Sequence, residues 1–291
     1  MLRADGKKVK NADPMYTVAP FIMNKRYDSM NMIELDIPLE PIQKYINARR
    51  NNDGVNISHM AVFLAAYVRT LCEFPELNHF IVNKRIYARN EIAVGMVVLQ
   101  AGEKDNGTMS KMYFDYENTI DDVNNIINDY VNENRVNAKN NGTEKAIKIL
   151  LGIPGILNIG VGLLRFADKY GFLPKAVIDA SPFHTSMSIS NLASIRTNHI
   201  FHHCYEFGTT SLFLTLGNSR EVAKRKGGEI VFEKCIPIGL TMDERICSGC
   251  YFAMAFRKMK KYLENPELLE ARPENVIIEV PQKRKSKYAV K

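Results

Sequence analysis

Residues 30–39 read Met-Asn-Met-Ile-Glu-Leu-Asp-Ile-Pro-Leu, a partial alternation of apolar and polar positions that predicts a half-buried strand. Pro41 then opens a short helix carrying Ile42, Tyr45 and Ile46. Asn56 or Ser58 is placed to cap a stronger helix running to about Cys72, because Met60, Phe63, Leu64, Tyr67, Val68 and Leu71 recur at three-to-four spacing. Pro75 ends that region. Strands are expected at 79–82 and 92–99, about a turn at Asn83-Lys84, and again at 109–116 after a polar loop at 102–107. Thr119 caps a helix from Ile120 to about residue 137, and the Asn-rich, charged stretch 131–142 is expected to be exposed. The final third is β-rich, with strands at 186–191, 211–217, 229–236 and 238–242. A closing helix over 249–265 carries Phe252, Phe256, Met259 and Leu263 on one stripe.

Residues 147–166 break this rhythm. Twelve of the twenty are large and apolar, with four glycines and Pro154 among them. The length suits a bilayer span of ~20 residues, but Pro154 and the Gly152/Gly155 break argue against one continuous span. A helix pair packed on the body or at a subunit interface is the reading preferred. A membrane-surface contact or a hydrophobic-substrate element stays open. Strands interleaved with helices, without a regular strand-helix repeat, predict an α/β sandwich on a mixed sheet. One domain over 1–272 is expected, with an N-terminal arm at 1–20, an apolar insertion at 145–178 and a basic tail at 273–291.

Composition narrows the function. The 291 residues are 46% hydrophobic and 24% charged, as in a soluble globular protein. Of the +7 net charge, five units come from Lys283, Arg284, Lys285, Lys287 and Lys291, so the body carries only +2 and no nucleic-acid-binding face is expected. Cys72, Cys204, Cys235, Cys247 and Cys250 are too few for a disulfide framework. No apolar stretch follows the charged N-terminus, so a cytoplasmic protein without a signal peptide is expected. Gly152, Gly155, Gly160 and Gly162 match neither phosphate-binding glycine fingerprint. Cys247-Ser248-Gly249-Cys250 is a lone C-x-x-C at a helix start; packed free thiols are preferred to redox or zinc chemistry, and no metal site is expected. Among the six histidines, His59 reads as buried or capping and His202-His203 as surface loop; none forms a nucleophile-base pattern.

Two segments of the final third carry the most specific signal. Ser188-Ile189-Ser190-Asn191-Leu192 resembles the Thr-Ile-Ser-Asn-Leu-Gly strand of the dihydrolipoamide acyltransferase catalytic domains. Residues 242–249, Met-Asp-Glu-Arg-Ile-Cys-Ser-Gly, resemble their Asp-His-Arg-x-x-Asp-Gly motif. The helix after it ends Tyr-Leu-Glu-Asn-Pro-Glu, much like the family's terminal helix, and Phe74-Pro75-Glu76-Leu77-Asn78 resembles its Pro-x-Leu-Asn turn. The resemblance spans most of residues 20–270, leaves 140–180 without a counterpart, and places no lipoyl-bearing domain before the body.

That resemblance, to the 2-oxoacid dehydrogenase and chloramphenicol acetyltransferase group, implies a two-layer α/β sandwich and a homotrimer with active sites at subunit interfaces. It also implies coenzyme A or acyl-CoA as substrate rather than a resident cofactor, and a small-molecule or lipoyl-type acceptor. In the family a histidine is the general base and a serine holds the oxyanion. Ser190 matches that serine, with Asn191 beside it, and Asp243, Arg245 and Gly249 match as they stand. Glu244 occupies the histidine position and Ser248 that of the second acid. A glutamate's ordinary pKa of ~4.3 is poorly matched to a thiol near ~8.5. Two functions are therefore expected to compete: an acyltransferase using Glu244 as base, and a catalytically inactive relative that binds coenzyme A or acyl groups or serves as a trimeric structural subunit.

Overall fold

The computed structural model describes residues 3–99, 107–136 and 155–283. Ten strands and seven helices are described. In chain order they begin with β1 (Gly6–Lys8), α1 (Pro14–Ile22), β2 (Met30–Pro38), α2 (Leu39–Asp53), α3 (His59–Glu73), β3 (His79–Val82) and β4 (Arg85–Arg89). The middle supplies β5 (Ile92–Leu99), β6 (Gly107–Phe114), α4 (Ile120–Val136), α5 (Ile156–Tyr170) and α6 (Lys175–Ala180). The last third gives β7 (Met187–Asn191), β8 (Leu212–Leu216), β9 (Arg220–Lys226), β10 (Glu229–Asp243) and α7 (Gly249–Glu264).

Seven strands make the main sheet, in the order β2-β10-β8-β7-β5-β6, with β9 paired to the outer part of β10. The β5–β7 and β7–β8 pairs are parallel and the others antiparallel. Every second residue faces the same side of a strand. Val94, Met96, Met187, Ile189, Leu212, Leu214, Leu216, Ile238, Leu240 and Met242 thus line one face, where they join the buried stripes of α2, α3, α4 and α7 in one core. The expected α/β architecture on a mixed sheet is the one observed. A second sheet, β1-β4-β3, binds the N-terminal arm to the body.

Several local rules decided the elements. Ser58 caps α3, its hydroxyl accepting from the Ala61 N–H at 3.1 Å; His59 is the first helical residue and is exposed rather than buried. The expected pair of strands at 229–236 and 238–242 is one continuous strand. Pro237 is tolerated there because its position without an N–H faces the gap where the ladder with β9 stops at Cys235 and the ladder with β8 starts at Ile238, while the β2 ladder continues past it opposite Asp36. Gly217 N–H donates to the Pro237 carbonyl (2.9 Å) across that gap. Strands β4 and β9 were not anticipated. The Asn83-Lys84 turn belongs to the β3–β4 hairpin, both residues having positive φ.

The N-terminal arm is threaded into the protein. Arg3 makes a two-pronged ion pair with Asp5 (2.9 and 3.0 Å) and reaches Asp168 of α5 at 2.8 Å. His184 Nε2 lies 3.3 Å from the same Asp168 oxygen. Burial pushes the Asp168 carboxyl up, but His184 and Arg3 outweigh it and hold the group below its ordinary value. Of the apolar segment 147–166, residues 147–154 lie outside the described residues, as do most of the loop at 102–107, residues 137–142 and the tail from 284. The remainder is α5, a single helix whose Leu157, Ile159, Leu163 and Phe166 are exposed. No helix among the described residues is long and apolar enough to cross a membrane.

Candidate active site

Ser190 lies on β7, on the face opposite the helices, because Met187 and Ile189 point into the core. In register across the sheet it is followed by Thr215 of β8, Gly239 of β10 and Glu34 of β2. The segment 198–200 crosses this row closely. A side chain at Gly217 would collide with the His199 N–H, and one at Gly239 with the Ile200 carbonyl. The Thr215 hydroxyl donates to that carbonyl at 2.5 Å. His199 therefore lies over the row that contains Ser190. Its Nε2 is 3.5 Å from Glu34, and its Nδ1 is buried without a hydrogen-bond partner. Further along, His202 stacks on Phe213 with ring centroids 4.0 Å apart. The Ser190 hydroxyl itself makes no hydrogen bond with a described residue.

The second motif starts at the C-terminal end of β10, four residues past the Ser190 row. Asp243 is fully buried and serves as a hub. Its Oδ1 accepts from Arg245 Nε (2.8 Å), the Arg245 N–H (3.2 Å) and the Ser29 hydroxyl (3.0 Å). Oδ2 accepts from Arg245 Nη2 at 2.7 Å and lies 3.5 Å from Arg26 Nε. Burial raises the carboxyl's pKa, but Arg245 and then Arg26 more than offset this and hold it below the usual carboxylate range. One residue on, Glu244 is half-buried, its N–H bound to the Ser29 carbonyl (2.9 Å) and its carboxylate accepting from Asn31 at 2.5 Å.

Ser248 has a structural task. Its hydroxyl accepts from the Tyr251 N–H at 3.0 Å and caps α7. Cys247 is buried, and that burial raises its thiol pKa, the reverse of what redox chemistry at a helix start needs. All five cysteines are free, and no metal-holding cluster occurs among the described residues. Gly249, Asn31, Met242 and Phe252 line an apolar cleft of about 510 Å³ beside Glu244, and Asn191 lines another of about 420 Å³ with Gln43, His59 and Leu216.

Within one chain these pieces do not meet. Ser190 is level with Gly239, four residues before Asp243 and two strands away. At ~3.3 Å per residue and ~4.8 Å per strand, Ser190 and Asp243 are on the order of 16 Å apart. The residues at both ends can be picked from the two motifs, whereas His199 carries no signal beyond its place in the loop after the Ser-Asn-Leu strand.

Residues 185–271, which hold both ends of this arrangement, match the family described as 2-oxoacid dehydrogenases acyltransferase (catalytic domain). The chain is similar to these acyltransferases in motif and in fold. A probable dihydrolipoamide acetyltransferase from Listeria monocytogenes superposes with a TM-score of 0.57 at 14% identity, covering 89% of this chain and 95% of that one. The dihydrolipoamide acetyltransferase of Azotobacter vinelandii gives 0.58 at 9% identity, covering 90% and 94%. A truncated catalytic core of the 2-oxoacid dehydrogenase multienzyme complex from Thermoplasma acidophilum gives 0.53 at 11%, covering 89% and 99%. At these identities the superpositions establish the fold. No curated protein sequence matches the chain.

Proposed function

We propose that the protein transfers an acyl group between coenzyme A and a thiol or hydroxyl acceptor, at a site assembled between copies of the chain. The carrying observation is that Ser190 is half-buried and unbonded while its expected partner Glu244 lies two strands across and five residues along the same sheet. One protomer's Ser190 then faces another's Glu244, and a homotrimer closes the arrangement. In the forward step Glu244 takes the proton from the attacking thiol. The sulfur adds to the acyl carbonyl carbon, the Ser190 O–H donates to the oxyanion, and collapse expels the other thiolate or alkoxide, which recovers the proton.

The Azotobacter enzyme's catalytic mechanism involves a serine, a histidine and an asparagine. The two latter types are replaced here by Glu244 and Ser248, and a carboxylate is a poor acceptor for a thiol proton. His199 offers a second reading of the base. It lies over the Ser190 row, is backed by Glu34 as an imidazole base is commonly backed by a carboxylate, and has a free ring nitrogen.

The test is acetyl-CoA turnover, followed by thiol release, in the native protein and in Ser190→Ala. Loss of an oxyanion donor lowers the rate by ~10²–10³. Equal rates in the two proteins overturn the reading. Calorimetric binding of coenzyme A without turnover assigns the inactive, acyl-binding alternative, and light scattering checks the trimer.

A further inference from the structure

A cleft of about 520 Å³ opens behind Arg245, on the side of the Asp243 hub away from Glu244's apolar cleft. Its walls come from the end of α1 with residues 24–26, the β3–β4 turn, α5, residues 206–208 and Arg245. Six cations line it, Lys25, Arg26, Lys84, Arg165, Lys169 and Arg245. The acids in or directly behind it are Asp168, Glu206 and Asp243, which leaves three positive charges in excess.

Each of those acids already has a partner. Asp168 is held by Arg3 and His184. Asp243 is shared between Arg245 and Arg26. Glu206 accepts the Arg26 N–H at 2.8 Å. Lys25, Lys84, Arg165 and Lys169 are all exposed and make no ion pair with a described residue. Arg26 is 97% buried on the cleft floor, where its Nε faces Asp243 at 3.5 Å and its two Nη atoms donate to the Tyr205 and Gly208 carbonyls, so the uncompensated charge lies on the rim.

The placement of the rim cations is itself unfavourable without an anion. Arg165 and Lys169 are one turn apart on α5, where like charges repel. We infer that this cleft is a binding site for a phosphate-bearing anion. Multiple charged oxygens match donors converging from three of these walls, and a single carboxylate would leave most of the excess charge uncompensated. The inference does not rest on acyl transfer, since it uses neither Ser190 nor Glu244.

The phosphate has two possible sources, a soluble ligand or a lipid headgroup. The second arises because Phe21 lies against Lys84, with Val18 and Ile22 exposed on the same helix. Calorimetric titration with inorganic pyrophosphate, and cosedimentation with phosphatidylglycerol against phosphatidylcholine vesicles, separate them. Both are run on the native chain and on the double variant Lys84→Gln/Arg165→Gln, whose altered side chains are exposed and give up only the contact of Lys84 with Phe21. Saturable pyrophosphate binding weakened roughly tenfold or more in the variant supports the site. Phosphatidylglycerol partition that pyrophosphate displaces assigns the headgroup, and binding of pyrophosphate without partition assigns a soluble phosphate. No saturable binding to either probe overturns the inference. So does binding that the variant leaves unchanged, which would place it on other charges such as Lys283 and the residues after it.

Discussion

At the Asp243 end of the main sheet each carboxylate oxygen has named donors, two guanidiniums converge on one acid, and nothing is exposed. At the Ser190 end the serine hydroxyl is unbonded and a buried histidine nitrogen has no partner. The first end is built to hold shape and the second is left open. Glu244 borrows its position from the first without sharing its bonding, for only Asn31 and the Ser29 carbonyl fix it. Retention of the frame around a motif therefore says little about retention of its chemistry. Asp243 and Arg245 have stability reasons to persist whether or not Glu244 moves a proton.

The comparison breaks most visibly at Asp243. Asp243→Asn strands two buried guanidiniums, and unfolding in urea is expected to show a loss of ~3–5 kcal/mol. Its carboxyl is held below the ordinary value, so its stabilisation is complete above the unfolded value near ~4 and disappears as pH falls through the lower folded value. Acid titration of the native protein should therefore show a loss in that window that the variant lacks.

The next effect is on rate. Removing the true base lowers turnover by ~10²–10⁴. If Glu244→Gln shows that fall and His199→Gln does not, the base crosses between copies; the reverse result puts it beside Ser190 in the same chain. Neither substitution should change stability by more than ~1 kcal/mol, which distinguishes them from Asp243→Asn.

The smallest effect belongs to Ser248. Ser248→Ala removes a helix cap and should cost ~1 kcal/mol, readable as a lower Tm, while Ser248→Asp keeps the cap and the stability. A rate loss in Ser248→Ala larger than its stability loss would give that residue a chemical role as well.

Much of this was legible in the chain. Helix α7 announced itself because it has one buried face, which a 3.6-residue pattern records directly. α3 is buried from Met60 to Cys72, so its large residues alone carry the period, and β2 shows a partial alternation although only Ile37 and Pro38 are buried. Strand β9, Arg-Glu-Val-Ala-Lys-Arg-Lys, gave no such signal, since it pairs only with the outer half of β10 and buries nothing. β4, Arg-Ile-Tyr-Ala-Arg, was hidden by its two arginines: Arg85 is exposed, and Arg89 is buried against a distant partner, Thr209. Ser190 and Glu244 could be picked from motif spacing. Their separation, the Arg26 contact to Asp243 and the placing of His199 over Gly239 are set by the path of the loop between β7 and β8, which no local pattern encodes.

Strand β2 meets β10, its one ladder partner among the described residues, roughly 200 residues later in the chain. During synthesis at ~5–20 residues per second, its backbone N–H and C=O groups therefore wait on the order of 10–40 s before β10 leaves the ribosome. A strand displayed for that long is open to the wrong neighbour. Yield from a cell should then depend on elongation rate and on chaperones that shield nascent chains, far more than the stability of the finished protein would suggest.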